Sequence, residues 1–411
     1  MTTPDNDLSR LWQLKSFTAF WIARLFTISG YQMLCVAIGW HLYDITGSAL
    51  DLGLIGLVQF LPRVLFVLPA GDVADRFDRR RVAAIMQLLQ GVAAFAMLFA
   101  LILPAYARDL IFVVSFLVGA ARTFEFPASQ AMLPRVVPRD LLPSAIALSS
   151  SAVQVATIAA PALGGLVYAL GTSVVYVLTG ALYLTASVLM LRVSFIASDA
   201  PIAPPQKSGL NTLLAGVRFI KSKPAILGAI SLDLFAVLLG GATALLPIYA
   251  KDILHTGPWG LGILRAAPAV GALAMGAWLA RKPIKNRVGK TMFSAVAVFG
   301  LATIVFGVST SLPLSFVALA VLGASDMISM VIRGSFVQLE TPDEMRGRVS
   351  AVNSLFIGAS NQLGEFESGV VAAALGPVLS VVTGGVGTLI VVGLWMKWFP
   401  QLAQQDKMPG S

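Results

Sequence analysis

Ten ionisable side chains fall inside stretches of this sequence that are apolar enough to cross a lipid bilayer: Arg24, Arg63, Arg122, Glu125, Asp233, Arg265, Asp326, Arg333, Glu365 and Glu367. Charge is costly in hydrocarbon, so such residues pair with one another, line water, or exchange protons and ligands. Arg122 and Glu125 are three residues apart on one helical face, close enough to pair. Asp326 and Arg333 share a face but lie roughly 10 Å apart along a helix, too far for direct contact. In SNQLGEFESG, residues 360–369, the glutamates Glu365 and Glu367 are turned about 200° from each other around a helix. Only Glu365 shares a face with Asn361 and Ser368.

Burial raises a carboxylate's affinity for protons, and a nearby guanidinium lowers it again. A carboxylate that trades an arginine partner for a proton or a ligand therefore couples the two. Glu125, Asp233, Asp326 and Glu365 are the candidates for that role, with Arg63, Arg122, Arg333 and Asn361 as pathway partners. For each, a permanent ion pair between helices is the competing reading.

These residues need membrane helices to position them. The chain has 411 residues, of which 57% are hydrophobic and 12% charged, where a soluble domain averages about 25% charged residues. The expected class is an all-α integral membrane protein with twelve transmembrane helices in two pseudo-symmetric six-helix bundles. Spans are predicted to begin near Ser16, Leu50, Arg79, Leu110, Leu142, Thr172, Pro224, Leu261, Val288, Pro313, Arg346 and Pro377. The polar start MTTPDNDLSR runs into the first apolar segment without a small-residue cleavage site, which argues against a removed signal peptide. A single cysteine, Cys35, excludes an intramolecular disulfide and reads as a small buried hydrophobe.

The formal net charge of +9 could suggest a nucleic-acid partner, but its distribution excludes one. Alternate loops receive Arg76 and Arg79–Arg81, then Arg135 and Arg139, then Lys207, Arg218, Lys221 and Lys223, and later Arg281–Lys290, Arg346 and Arg348. The opposite loops receive only Arg108 and Lys251. That asymmetry puts both termini in the cytoplasm.

The halves are repeats. PRDLLPSAIALSSSAVQVATIAAPALGGLV from Pro138 aligns without a gap on PDEMRGRVSAVNSLFIGASNQLGEFESGVV from Pro342, and the same offset brings Arg122 over Asp326. Parallel repeats of this kind surround an axis along the membrane normal and enclose a central pathway. The expected organisation is a cytoplasmic N-terminus (1–15), a first bundle (16–195), a cytoplasmic linker with an interfacial helix (196–223), a second bundle (224–400) and a cytoplasmic tail (401–411). Counted from the outer ends of the second and eleventh spans, Arg63 and Glu365 differ in depth by only about 6 Å. An Arg63–Glu365 interaction is expected.

The stretch from Thr46 through GDVADRFDRRR resembles the second span and following loop of major facilitator superfamily transporters, whose signature reads G-x-x-x-D-R-x-G-R-R. Gly71, Asp75, Arg76, Arg79 and Arg80 keep the pattern, and Asp78 stands where the family has glycine. The resemblance implies that Asp75 locks the two halves on the cytoplasmic side. The expected partner is the start of the eleventh span, with Arg76 or Arg79 reaching Glu340, Asp343 or Glu344. In the fifth span APALGG resembles the GPxxGG pattern of the drug and proton antiporter branch, with Pro161, Gly164 and Gly165 permitting a bend and a tight helix interface. PDEMRGRV and NQLGEFESG look like bacterial exporters related to the enterobactin exporter.

The resemblance implies a proton-coupled exporter of a small amphiphilic, siderophore- or drug-like molecule in the bacterial inner membrane, acting as a monomer among membrane lipids, without cofactor or metal. An importer or facilitator of a metabolite or lipid is the alternative, since direction is not written in a fold. ATP as the energy source is disfavoured because no G-x-x-x-x-G-K-[ST] loop is present. An intramembrane enzyme is disfavoured because the two histidines, His41 and His255, lie near outer span ends with no H-E-x-x-H or Ser/His spacing. A sensor built on a transporter fold would have no need of coupling carboxylates.

Overall fold

The computed structural model describes residues 4–196 and 210–407, and these fold almost wholly into helices. Among the described residues, eleven helices are long and apolar enough to cross a membrane. One further helix, the eleventh span Asp343–Leu375, is the polar one that carries Glu365 and Glu367, and its 33 residues reach about 50 Å, beyond the roughly 30 Å of a hydrocarbon core. The spans of the first half are Lys15–Thr46, Ala49–Arg76, Arg79–Ile102, Ala107–Gln130, Leu142–Leu170 and Thr172–Leu191. Those of the second half are Pro224–Leu239, Gly257–Arg281, Val288–Val308, Leu312–Leu339, Asp343–Leu375 and Pro377–Trp398.

The chain divides into two compact units, Met1–Ile45 with Val58–Gln206, and Thr46–Leu57 with Lys207–Ser411. The N-terminal end of the second span thus belongs to the second unit. Within the first, an inner apolar cluster gathers Phe17, Phe20, Met132, Val137, Met190 and Val193. Within the second, Met292, Phe293, Ile332, Phe336 and Trp395 form the equivalent cluster.

Without a strong hydrophobic drive between helices in lipid, close backbone approach holds such bundles together. Gly119 of the fourth span lies so near the second that a Cβ would stand 2.5 Å from the Gln59 carbonyl oxygen. The repeat-related Gly323 of the tenth span abuts the Pro268 carbonyl of the eighth in the same way. The two bundles therefore share a helix contact as well as a sequence pattern.

The seventh span ends at Gly240–Gly241 and continues as a 3₁₀ turn, Ala242–Leu245, and a π-helical turn, Tyr249–Ile253. Gly241 abuts the Gly364 carbonyl of the eleventh span, a contact closed to any side chain. Before the seventh span, Leu210–Ser222 forms a separate helix. It packs Gly216 against the Arg348 carbonyl, and Ile220 joins Val349 and Val352 in one apolar cluster. The preceding linker residues, 197–209, lie outside the described residues.

Gly323→Leu should abolish recovery of monodisperse protein in detergent, because overpacking against backbone has no rotamer to escape into. Gly334→Ala, where nothing lies within 4 Å of the added carbon, should leave recovery unchanged or raise the melting temperature. Fluorescence-detected size-exclusion of both variants checks this pair.

Candidate functional site

In the first unit, the first, fourth and fifth spans enclose a cavity of about 190 Å³. Arg24, Tyr31, Arg122, Glu125, Ser129 and Gln130 line its polar side, and Ile28, Phe126 and Val153 its apolar side. The guanidinium of Arg122 lies over the Tyr31 ring, 3.4 Å from its centroid, a cation–π arrangement that gains strength where water is scarce. The Tyr31 hydroxyl donates to Gln59 Oε1 at 3.3 Å, which fixes the plane of that ring. Arg24 donates to Gln130 Oε1 at 2.8 Å. Glu125 accepts from Ser129 Oγ at 2.5 Å, one helical turn on. Arg122 and Glu125 thus face one cavity, as their spacing predicts, and lie within electrostatic reach of each other, while their direct contacts are to Tyr31 and Ser129. Arg63 is within electrostatic reach of Arg122 and Tyr31.

In the second unit, Asp233 of the seventh span and Arg333 of the tenth form a direct ion pair, with side chains 6% and 3% exposed respectively. Ser329 Oγ donates to Asp233 Oδ1 at 3.2 Å. One turn from Ser329, Asp326 lines a small cavity together with Asp233, Ser325 and Ser329. Two carboxylates and one guanidinium meet here, and the guanidinium belongs to Asp233. Asp326 and Arg333 do not touch, as the helical spacing requires.

Glu365 is partly buried, with the Thr243 hydroxyl in hydrogen-bonding reach and Arg265 near enough to act on it electrostatically. It lies beside the outer half of the second span, where a Cβ on Gly56 would stand 2.7 Å from its Oε2. Gly53 likewise approaches Gly369, with 2.9 Å from a Gly53 Cβ to the Gly369 Cα. The eleventh helix therefore packs on the N-terminal part of the second helix. Asn361 is exposed, and Glu367 meets Ser368 Oγ at 3.5 Å on another side. The expected Arg63–Glu365 pair would bridge the two units.

The loop between the second and third spans has a defined internal structure. Arg79 pairs with Asp75 at 3.3 Å and donates to the carbonyls of Ala74 and Ala131, tying the second span to the end of the fourth. Arg76 is exposed, and Gly71 is half-buried near the inner end of the second span. Asp78 caps the third span by accepting from the Arg80 backbone N–H at 2.9 Å, and its carboxylate pairs with the Arg80 guanidinium at 2.7 Å. Arg80 also donates to the Val193 carbonyl at 3.0 Å and lies over the Phe195 ring, so it braces the end of the sixth span. Arg80 thus has structural partners beyond any role in topology. The bond to Arg80 holds the Asp78 carboxyl down at about 2. Its stabilisation is complete above the ordinary carboxylate range and is lost only as pH falls through that low value.

Glu340 sits just past the tenth span, where burial pushes its carboxyl above the usual range and Lys223 opposes the shift. The Asp343 and Glu344 side chains lie outside the described residues. In the fifth span, Pro161 is buried within an unbroken helix, Gly165 is buried, and Gly164 would place a Cβ 2.9 Å from the Met33 Cα of the first span.

The sequence matches the transmembrane secretion effector family over residues 9–409. The chain belongs to that family and is a major facilitator superfamily transporter. It is similar to the enterobactin exporter EntS of Citrobacter koseri, at 27% identity over 391 residues, spanning 94% of this chain and 92% of the relative. Among solved structures, a variant of the nucleoside transporter NupG superposes with a TM-score of 0.75 at 14% identity, covering 93% of this chain and 100% of that one. A bacterial homologue of the human lysosomal transporter Spinster superposes with a TM-score of 0.73 at 14% identity, covering 95% and 96%. At these identities the solved structures bear on fold alone. The protein is thus a multi-pass membrane transporter for a small molecule.

Three of the arrangements above are not written in the motifs. Ser129 could have been found, because it lies one helical turn beyond Glu125. The Asp233–Arg333 pair and the Arg122–Tyr31 stack join distant segments, and no local spacing announces them. Asp233→Asn should lower stability by about 3–5 kcal/mol, because Arg333 is left buried without a counter-charge. The double variant Asp233→Asn with Arg333→Gln should recover most of that loss. Melting curves of the detergent-purified variants measure both.

Proposed function

We propose that this protein exports a small amphiphilic molecule across the bacterial cytoplasmic membrane by alternating access, drawing on protons. Asp326 carries the reading. It shares a small cavity with the buried Asp233 while the guanidinium there, Arg333, is committed to Asp233. A buried carboxyl without a cation takes a proton more readily than one held by arginine. Asp326 is therefore the group that loads and releases protons, and Asp233 with Arg333 is a helix clamp. Glu365, with Thr243 and Arg265 around it, belongs to the outer gate where the eleventh span meets Gly53 and Gly56.

Export is supported by the exporter relatives and extends to siderophore- or drug-like cargo. The cytoplasmic lock is assigned to Asp75 and the loop residues Gly71, Arg76, Arg79 and Arg80, meeting Glu340, Asp343 and Glu344 in the outward-open state, with both termini cytoplasmic. The fifth-span residues Pro161, Gly164 and Gly165 hold the first unit rigid during that exchange. The protein works as a monomer surrounded by lipid.

Everted membrane vesicles given an imposed pH gradient, acid inside, should accumulate labelled enterobactin or one of a panel of amphiphilic dyes. Asp326→Asn should reduce accumulation to that of vesicles lacking the protein. Accumulation indifferent to the gradient would remove proton coupling, and accumulation only in right-side-out vesicles would favour an importer.

A further inference from the structure

The charge in the first-unit cavity does not balance. Arg24 and Arg122 face Glu125 as the sole acidic residue lining it, and Arg63 adds a third cation within reach of Arg122. Glu125 acts electrostatically on both Arg24 and Arg122 and also accepts from the Ser129 hydroxyl, so one carboxylate faces three cations. Arg24 spends one donor on Gln130. Arg122 is held by a ring face; among the described residues its guanidinium donates no hydrogen bond, although it carries five N–H donors in a planar fork. A ring face satisfies the charge from one side and leaves the edge of the fork open.

From this geometry we infer that the cavity is a binding site for an aromatic organic anion, its carboxylate or phenolate held on the edge of the Arg122 guanidinium with Arg24 assisting, and its ring against Tyr31 and Phe126. The inference rests on the export reading above and names the cargo class. The arginine fork selects planar, bidentate acceptors over a point charge. Glu125, on the same wall, repels the anion and keeps its binding reversible. Anionic cargo also suits export, because an inside-negative membrane potential drives an anion outward.

The test is calorimetric titration of the purified full-length protein in neutral detergent with 1-naphthoate, 1-naphthamide, cyclohexanecarboxylate and inorganic phosphate. Naphthoate should bind at least about tenfold more tightly than naphthamide, as expected for a charge-assisted bond. Cyclohexanecarboxylate should bind more weakly than naphthoate, and phosphate should not displace it. Glu125→Gln should tighten naphthoate binding several-fold, which a merely structural glutamate would not do. Arg122→Gln should weaken it by about tenfold or more, and Arg122→Lys should rescue only part of the loss. Equal binding of naphthoate and naphthamide, no binding of naphthoate, or weaker binding in Glu125→Gln would each overturn the inference. Displacement by phosphate would replace the aromatic anion with a simple anion site and equally overturn it. The Glu125→Gln arm is nearly isosteric, so it decides the matter even where Arg122 variants fail to fold. No gradient is present, so failure of proton-driven export leaves these outcomes untouched. Export of a neutral cargo alone would refute the anion while sparing export.

Discussion

A guanidinium inside a membrane bundle must find an anion, a ring face or water, and the two units meet that demand differently. In the second, Arg333 is paired with Asp233 and sealed from solvent. In the first, Arg122 rests on Tyr31, Arg24 on a glutamine, and their common cavity stays open between spans. A sealed pair is expensive to break, because separating it strands a charge in a low-dielectric interior. An open guanidinium costs less to rearrange and remains available to a ligand. The repeat offset makes the contrast sharper: Glu125 and Ser129 of the fourth span correspond to Ser329 and Arg333 of the tenth. The same two helical positions hold an acid with its hydroxyl in one unit, and a hydroxyl with a cation in the other. The second unit draws its acid from the seventh span instead.

That division of labour depends on helices being close enough for short side chains to decide what fits. Gly119 and Gly323 bring the fourth and tenth spans onto the second and eighth, and Gly164 brings the fifth onto the first. The walls of the first-unit cavity are set by the first, fourth and fifth spans, so two of these contacts border it. At the loop after the second span, Arg79 and Arg80 fasten the second, third, fourth and sixth spans through carbonyls of Ala131 and Val193. The loop whose basic residues mark topology thus also joins its own bundle.

Much of the fold was legible because span length and apolar content are sequence properties. The predicted starts at Leu142, Thr172, Pro224, Val288 and Pro377 coincide with helix boundaries, or nearly so for Ser16 and Leu50. The polar eleventh span was legible as a membrane helix through its repeat partner, even though its charges set it apart from the others. The broken seventh span was missed: Gly240–Gly241 reads as ordinary small-residue packing until the eleventh helix is seen against it. Asp78 reads as a departure from a motif, whereas its capping of the third span gives the aspartate a local purpose. The spacing of Asp326 and Arg333 correctly denied them contact, yet spacing could not supply Asp233, a hundred residues earlier. Helical periodicity speaks only of residues on one helix, and the chemistry here is assembled between helices.

Asp233 is held by Arg333, and the proposal that Asp326 is the carboxyl that titrates follows from that pairing. Infrared difference spectroscopy of the reconstituted protein during a pH titration tests it most directly, because a protonated carboxyl absorbs apart from an ionised one. The account predicts a titrating carboxyl band in the wild type that is absent from Asp326→Asn and retained in Glu367→Gln. Identical titration spectra for the wild type and Asp326→Asn would contradict it.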